Sequence, residues 1–219
     1  MNNLTAVIPV RAGSQRVKDK NLKPFADSNL LEVKINQIKK LPVDRIIVNT
    51  DSPQAIQIAK QHGVEFFERD AYYASSKCSN SEYHEYLARV TEAENLLIAQ
   101  VTSPLIKKQS YLNAIQKFFE SDNDSIMSTQ RFQNFLLKDG KPVNYELHNM
   151  CNSQDLEPYH VPTFGIVICK RDEMLKYKNY ICGKCGFIEL TDTESVDIDT
   201  PLDFKVAEFL YKTEGMSFD

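Results

Sequence analysis

The sequence predicts an α/β fold with a mostly parallel sheet covered by helices on both faces. Short apolar runs that end in turn-forming residues alternate with segments of helical period through the first half of the chain. That alternation implies βαβ crossovers, which place helices on both sides of a parallel sheet. At 219 residues, 42% hydrophobic and 26% charged, the chain has room for one large α/β domain and an ordinary globular balance.

Leu4 to Val10 is a short, mostly apolar run and reads as a buried strand. A cationic, polar loop follows, from Arg11 to Asn21. Leu31, Ile35 and Ile38 recur at helical spacing and predict a helix over 30–40. Arg45 to Thr50 is the second strand. After it, Ser52 is a helix cap with Pro53 at the first helical position, and Gly63 stops that helix. Val64 to Phe67 is a third short strand.

Residues 81–94 read as a charged helix, and Asn95 to Gln100 as a strand. Tyr111, Ile115 and Phe118 mark a further helix, and Ser125 to Thr129 a further strand. Pro142, Pro158 and Pro162 punctuate an irregular stretch over 130–163, before a strand at Ile166 to Cys169. Thr200 and Pro201 open a final helix with Leu202, Val206, Phe209 and Leu210 on one face. The chain thus reads as one domain over 1–219, with a small inserted lobe within about 130–190 suited to a lid or a dimer contact.

Bulk properties narrow the class of function. The net charge of −4 argues against a nucleic-acid partner, which favours a basic face, but leaves room for a small anionic ligand. No apolar run approaches the roughly 18 residues a membrane helix needs, so no membrane association is expected. The N-terminus enters an apolar segment too short for a secretory leader, and a cytoplasmic location is expected. Cys78, Cys151, Cys169, Cys182 and Cys185 form no framework pattern and read as reduced thiols. Cys182 and Cys185 have the spacing of half a zinc knuckle, but no second pair completes the four ligands. The four histidines show no ligand pair and read as surface or packing residues.

In open α/β sheets, ligands bind beyond the carboxyl ends of the strands. The loop after the first strand carries Arg11, Arg16, Lys18 and Lys20 around Gly13 and Ser14. Backbone amides and cations there suit a phosphate, and a merely solvated basic loop has the same composition. The loop lacks both the Walker A ending and the dinucleotide glycine pattern. Asn49-Thr50-Asp51 and Gln100-Val101-Thr102-Ser103-Pro104 stand at two other strand ends. Asp197 and Asp199 are two apart, so in extended chain both point the same way and can hold Mg²⁺. Asp199 as a simple helix cap fits the same residues. Tyr72, Tyr73, Tyr83 and Tyr86 suit stacking on a base or plain packing, and Lys107-Lys108 suits an acidic substrate or a solvated turn.

Taken together, four segments resemble known proteins. Ile8-Pro9-Val10-Arg11-Ala12-Gly13-Ser14, followed by Lys20-Asn21-Leu22, resembles the signature of acylneuraminate cytidylyltransferases (CMP-N-acetylneuraminate synthetases). Asn49-Thr50-Asp51, Gln100 with Thr102-Ser103-Pro104-Leu105, and Asp197-Ile198-Asp199-Thr200-Pro201 resemble that family's later segments, in the same order. The resemblance implies a three-layer α/β/α Rossmann-like nucleotidyltransferase fold, a homodimer, CTP and a small acidic sugar as substrates, and Mg²⁺ as cofactor. It implies that Arg11, Ala12, Gly13, Ser14 and Lys20 surround the triphosphate, with Lys20 on the α-phosphate. Asn21, Arg69 and Ser79 would surround ribose and cytosine, and Gln100 and Thr102 would sit by the acceptor. Asp197 and Asp199 would carry the metal, and Asp199 would share the catalytic role with Lys20. The chain departs from the family at Pro162-Thr163-Phe164-Gly165, where sialic-acid enzymes tend to have Arg-Pro-Asn-Gly. The acceptor thus stays open between a sialic-acid-like nonulosonic acid, a related 2-keto-3-deoxy sugar acid and a non-sugar acid such as a phosphonate, and a non-catalytic nucleotide- or sugar-binding protein of the same fold is the alternative to an enzyme.

Overall fold

The computed structural model describes residues 3–13, 17 and 19–213. Ser14, expected beside the triphosphate, lies outside the described residues. A seven-stranded sheet is formed by β1 (Leu4–Val10), β2 (Arg45–Thr50), β3 (Glu65–Glu68), β4 (Asn95–Ala99), β5 (Ser125–Phe132), β6 (Tyr159–Lys170) and β7 (Cys185–Leu190). Their order across the sheet is β7-β5-β6-β4-β1-β2-β3. β6 runs antiparallel to both neighbours, β4 and β5, and every other pairing in the sheet is parallel.

The helices are α1 (Leu30–Ile38), α2 (Pro53–Gln61), α3 (Ala71–Ala74), α4 (Asn80–Val90), α5 (Lys108–Glu120), α6 (Arg171–Tyr177) and α7 (Pro201–Thr213). They form two layers, as the period-2 alternation of β1 requires. Ala6, Ile8 and Val10 face a core shared with α1, α2, α5 and α7. Val7 faces the opposite core, built with Leu87 and Ala88 of α4 and Met174 of α6. The helix starts follow local chemistry. Ser52 caps α2 by accepting from the Ala55 amide, with Pro53 in the first turn. Ser79 and Glu82 form a reciprocal capping box at α4. No helix among the described residues is long and apolar enough to cross a membrane.

Two expectations need correction. β6 begins at Tyr159, well before the expected Ile166, and Pro162 lies within it. The pairing with β5 shifts register between Pro162 and Val167, and such an irregularity tolerates a residue without an amide hydrogen. Much of the 130–190 stretch therefore belongs to the sheet. Between β5 and β6 the chain leaves the sheet over 133–158, which holds a small hairpin (Leu137–Lys138 with Lys141–Pro142) and a 3₁₀ turn at Ser153–Asp155, and between β6 and β7 it forms α6.

The second correction concerns α7. Leu202 and Phe209 are 68% and 65% exposed and Val206 is also exposed, whereas Phe204 and Ala207 are buried. Phe25 decides the orientation: its ring meets Phe204 edge-on at 5.5 Å and Tyr211 at 5.2 Å.

Candidate active site

β1 and β4 are neighbours in the sheet, but the chain continues from β1 towards β2 and from β4 towards β5, on opposite sides. The loops beyond their carboxyl ends therefore diverge and leave a crevice, the usual ligand position in an open α/β sheet. A cleft of about 430 Å³ occupies this position. Its walls include Pro9, Arg11, Lys20 and Asn21 from the β1 side, and Gln100, Val101 and Thr102 from the β4 side. Arg69, Tyr73, Cys78, Asn80 and Tyr83 close one end.

That end is built around Arg69, which is only 6% exposed. Its Nε donates to Asn49 Oδ1 at 2.9 Å, and its Nη2 donates to the Asn49 carbonyl at 3.1 Å and to the Tyr83 hydroxyl at 2.6 Å. The guanidinium also lies 4.2 Å from the Tyr83 ring centroid, and the Tyr83 hydroxyl donates to Asn49 Oδ1 at 2.9 Å. Tyr73 stacks on Tyr86 with centroids 3.9 Å apart. A fork held on three sides presents its remaining donors in a fixed direction, which suits a planar acceptor edge.

Across the cleft, Asn21 Nδ2 donates to the Arg11 carbonyl at 3.1 Å. Asn21 Oδ1 is buried and has no hydrogen-bond partner among the described residues. An unmet buried acceptor in a cleft wall calls for a donor from the ligand. The loop after β1 is braced by β2: the Ala12 amide donates to Asp51 Oδ1 at 2.8 Å, and Gly13 follows in the left-handed region at φ +69°. The Arg11 guanidinium donates to the Ala74 carbonyl at 3.4 Å.

The acidic segment meets this loop. Lys20 Nζ donates to the Ile198 carbonyl and lies 3.9 Å from Asp199 Oδ1. The Ile198 amide donates to the Thr102 carbonyl at 2.9 Å, tying the segment to the β4 side. Asp197 accepts from Thr102 and, at 3.4 Å, from Ser103 Oγ. Its carboxyl is held above the usual carboxylate range, mainly by burial, with the Asp199 charge adding and the Thr102 bond opposing. The two aspartates adjoin the cleft through Lys20 and Thr102 rather than lining it.

A family model described as cytidylyltransferase matches residues 5–152, which hold the loop after β1, Arg69 and the turn after β4. The chain belongs to the cytidylyltransferase family. It is 26% identical to post-translational flagellin modification protein B of Campylobacter coli, over 99% of this chain and 98% of that protein. It is also 26% identical to pseudaminic acid cytidylyltransferase of Campylobacter jejuni, over 99% of both chains. Against the N-acylneuraminate cytidylyltransferase of Escherichia coli O18:K1:H7 the identity is 26%, over 93% of this chain and 51% of that protein, so the chain spans about half that relative's length. Among solved structures, CMP:2-keto-3-deoxy-manno-octonic acid synthetase complexed with CTP has the same fold: TM-score 0.72 and 16% identity, covering 96% of this chain and 99% of the other.

Within this cytidylyltransferase the fold brings Arg11, Lys20, Asn21, Arg69, Gln100 and Thr102 into one cleft. Ser79 is placed differently from its expected neighbours: its hydroxyl is engaged with Glu82 in the capping box, and Cys78 and Asn80 line the cleft beside it. Sequence reasoning missed Asn49 as the brace of Arg69, and Tyr83 as its third partner. The available signal was an asparagine directly after the apolar run Ile46-Ile47-Val48 and still within the strand, where it is fully buried and rarely occurs without a bonding role.

Proposed function

We propose that this cytidylyltransferase transfers CMP from CTP to a sialic-acid-like nonulosonic acid or a related 2-keto-3-deoxy sugar acid, releasing pyrophosphate. The observation that carries the reading is the meeting of Lys20 with Ile198 and Asp199 at the edge of a cleft whose far end is closed by Arg69. This supports reading Lys20 as a phosphate-neutralising cation and Asp199 as a metal-binding carboxylate, at the cleft that also holds the Arg69 donor fork. The names of relatives acting on pseudaminic and N-acylneuraminic acids support an acidic sugar acceptor.

In this reading Arg69 donates to the acceptor edge of cytosine, and Asn21 Oδ1 accepts from a ribose hydroxyl or the exocyclic amine. Arg11 and the Ala12-Gly13 turn face the β- and γ-phosphates. The acceptor enters by Gln100 and Thr102. Its hydroxyl oxygen bonds to the α-phosphorus, the bond from α-phosphorus to the bridging oxygen breaks, and pyrophosphate departs with that electron pair. Lys20 neutralises charge that grows on the α-phosphate oxygens, an interaction stronger in the transition state than in the ground state. Asp199, beside Lys20, receives the hydroxyl proton.

Mg²⁺ is the proposed cofactor. Two carboxylates with open positions for phosphate oxygens and water suit a hard cation that keeps part of its own hydration. The Asp197 pKa is raised mainly by burial and further by the Asp199 charge, and a divalent cation would offset both. When bound, it would supply charge neutralisation of the triphosphate, held by Asp197 and Asp199.

A homodimer and a cytoplasmic location complete the proposal. The excursion over 133–158 and the start of β6 expose Leu137, Val143, Leu147, Met150 and Val161, an apolar surface suited to a second copy. Sedimentation equilibrium with the apolar positions changed to serine tests this, and an unchanged mass would reject that surface.

Pyrophosphate release from each of the four nucleoside triphosphates, against a panel of acidic sugars and a phosphonate with Mg²⁺, tests the activity. Turnover with CTP and a nonulosonic or 3-deoxy-octulosonic acid is expected. Tight CTP binding with no turnover across the panel would reject it.

A further inference from the structure

Lys34 is a lysine without a role in the reaction described above, yet it is 0% exposed. Burial pulls its ammonium down to a pKa of about 7. Its Nζ donates to the Ser103 carbonyl at 2.8 Å and to the Tyr111 hydroxyl, also at 2.8 Å. One helical turn further along α1, Gln37 Nε2 donates to the Pro104 carbonyl at 2.7 Å. Desolvating a lysine completely costs enough that an apolar residue would be the stable choice if only packing mattered.

The bonds converge on the turn after β4. Three successive carbonyls, of Thr102, Ser103 and Pro104, accept from three donors: the Ile198 amide, Lys34 Nζ and Gln37 Nε2. The same turn presents the Thr102 and Ser103 hydroxyls to Asp197. On its other side the turn meets β6 at Gly165, where an added Cβ would lie 3.0 Å from Ser103 Oγ and 2.5 Å from Ile106 Cδ1. The turn is thus fixed from behind by α1, from the side by β6, and in front by the segment carrying the two aspartates.

We infer that Lys34 and Gln37 are positioning residues for the transfer reaction, clamping the 102–104 turn so that Asp197 is held in the orientation that receives the metal. The inference rests on the proposed function above. Neither residue reaches the cleft, so both act through backbone carbonyls. Lysine suits the position because, charged or neutral, its nitrogen can serve both the carbonyl and the hydroxyl.

The test uses Lys34→Met, which keeps the linear stem and removes the donors, and Gln37→Met, which releases only the Pro104 carbonyl. Mn²⁺ binding in the presence of CTP is measured by electron paramagnetic resonance, with kcat and KM for CTP measured in parallel. Lys34→Met is expected to weaken Mn²⁺ about tenfold and lower kcat about tenfold with KM for CTP nearly unchanged; Gln37→Met should do the same to a smaller degree. Phe118→Leu, which loosens the core about two helical turns along α5 from Tyr111, should lower Tm without changing Mn²⁺ affinity. If Lys34→Met does not fold, Gln37→Met decides. Wild-type Mn²⁺ affinity in the folded variant overturns the inference, as does an equal loss in Phe118→Leu. A wild-type enzyme that binds no Mn²⁺ and needs no divalent cation removes the metal reading itself, and this inference with it.

Discussion

Lys20 Nζ lies 3.9 Å from Asp199 Oδ1, and its ammonium also caps the Ile198 carbonyl, so residues from opposite ends of the chain share one corner of the cleft. Lys20 is largely buried, with 12% of its side chain exposed, while Asp199 keeps 46%. The cation is therefore held in place before a substrate arrives, and preorganised charge needs no rearrangement at the moment of reaction.

Lys20→Met should lower kcat by about 10²–10³ while raising KM for CTP only a few-fold. Steady-state pyrophosphate release checks this. Equal turnover in variant and wild type would remove Lys20 from the α-phosphate.

Tyr83→Phe deletes a hydroxyl that bonds both Arg69 and Asn49 but keeps the ring under the guanidinium. Loss of one fixed partner should cost about 1 kcal/mol of CTP binding and narrow the preference for CTP over UTP. Calorimetric titration with both nucleotides measures it, and the variant's melting temperature should change little.

Asp197→Asn separates stability from activity. The raised pKa of Asp197 means that its charged form is disfavoured in the fold, so the stability it contributes is present below the unfolded carboxylate range and lost as pH rises through the folded value. At pH 7 without divalent cation, the asparagine variant should melt higher than wild type. Adding Mg²⁺ and CTP should then raise Tm in wild type and much less in the variant.

Glu194 is buried and accepts from the Lys107 amide at 3.0 Å, Ser110 Oγ at 2.5 Å and Thr191 Oγ1 at 2.8 Å, fastening the acidic segment to the start of α5. Burial alone would raise its pKa, but these hydrogen bonds outweigh it and hold the carboxyl below 4.5. Its stabilising contribution is thus present above 4.5 and lost as pH falls through the folded value. Glu194→Gln should lose about 1–3 kcal/mol near neutral pH, and the gap to wild type should close in acid. Denaturant unfolding at several pH values reads both effects.

Lys34 has the same sign as Glu194, over a higher pH range. Its pKa falls from 10.5 to about 7 on folding, so between these values the unfolded chain binds a proton that the fold refuses. Wild-type stability relative to Lys34→Met should therefore fall as pH is lowered from about 9.5 to 7.5, by at most about 1.4 kcal/mol per pH unit. A gap that does not vary with pH would show that the ammonium stays charged in the fold.

The sequence by itself determined what depends on near neighbours in the chain. The apolar run of β1, the Ser52-Pro53 start of α2 and the helical spacing of Leu31, Ile35 and Ile38 each settle an element within a few residues, and their alternation settles the layered α/β class. Motif order was legible too, since Arg11, Lys20, Asn21, Gln100, Asp197 and Asp199 stand at element ends where an open sheet binds ligands. Tertiary structure alone decided the rest. α7 carries two apolar stripes, and the packing of Phe204 and Tyr211 on Phe25 buries one while Leu202 and Phe209 stay in water. Pro162 reads locally as a strand breaker, but an irregularity in the pairing with β5 accommodates it. The grip of Asn49 and Tyr83 on Arg69, and of Lys34 on Ser103, joins residues far apart in the chain. Local periodicity is set by backbone geometry over one or two turns, whereas burial and hydrogen-bond partners depend on which distant surfaces the fold brings within a few ångströms.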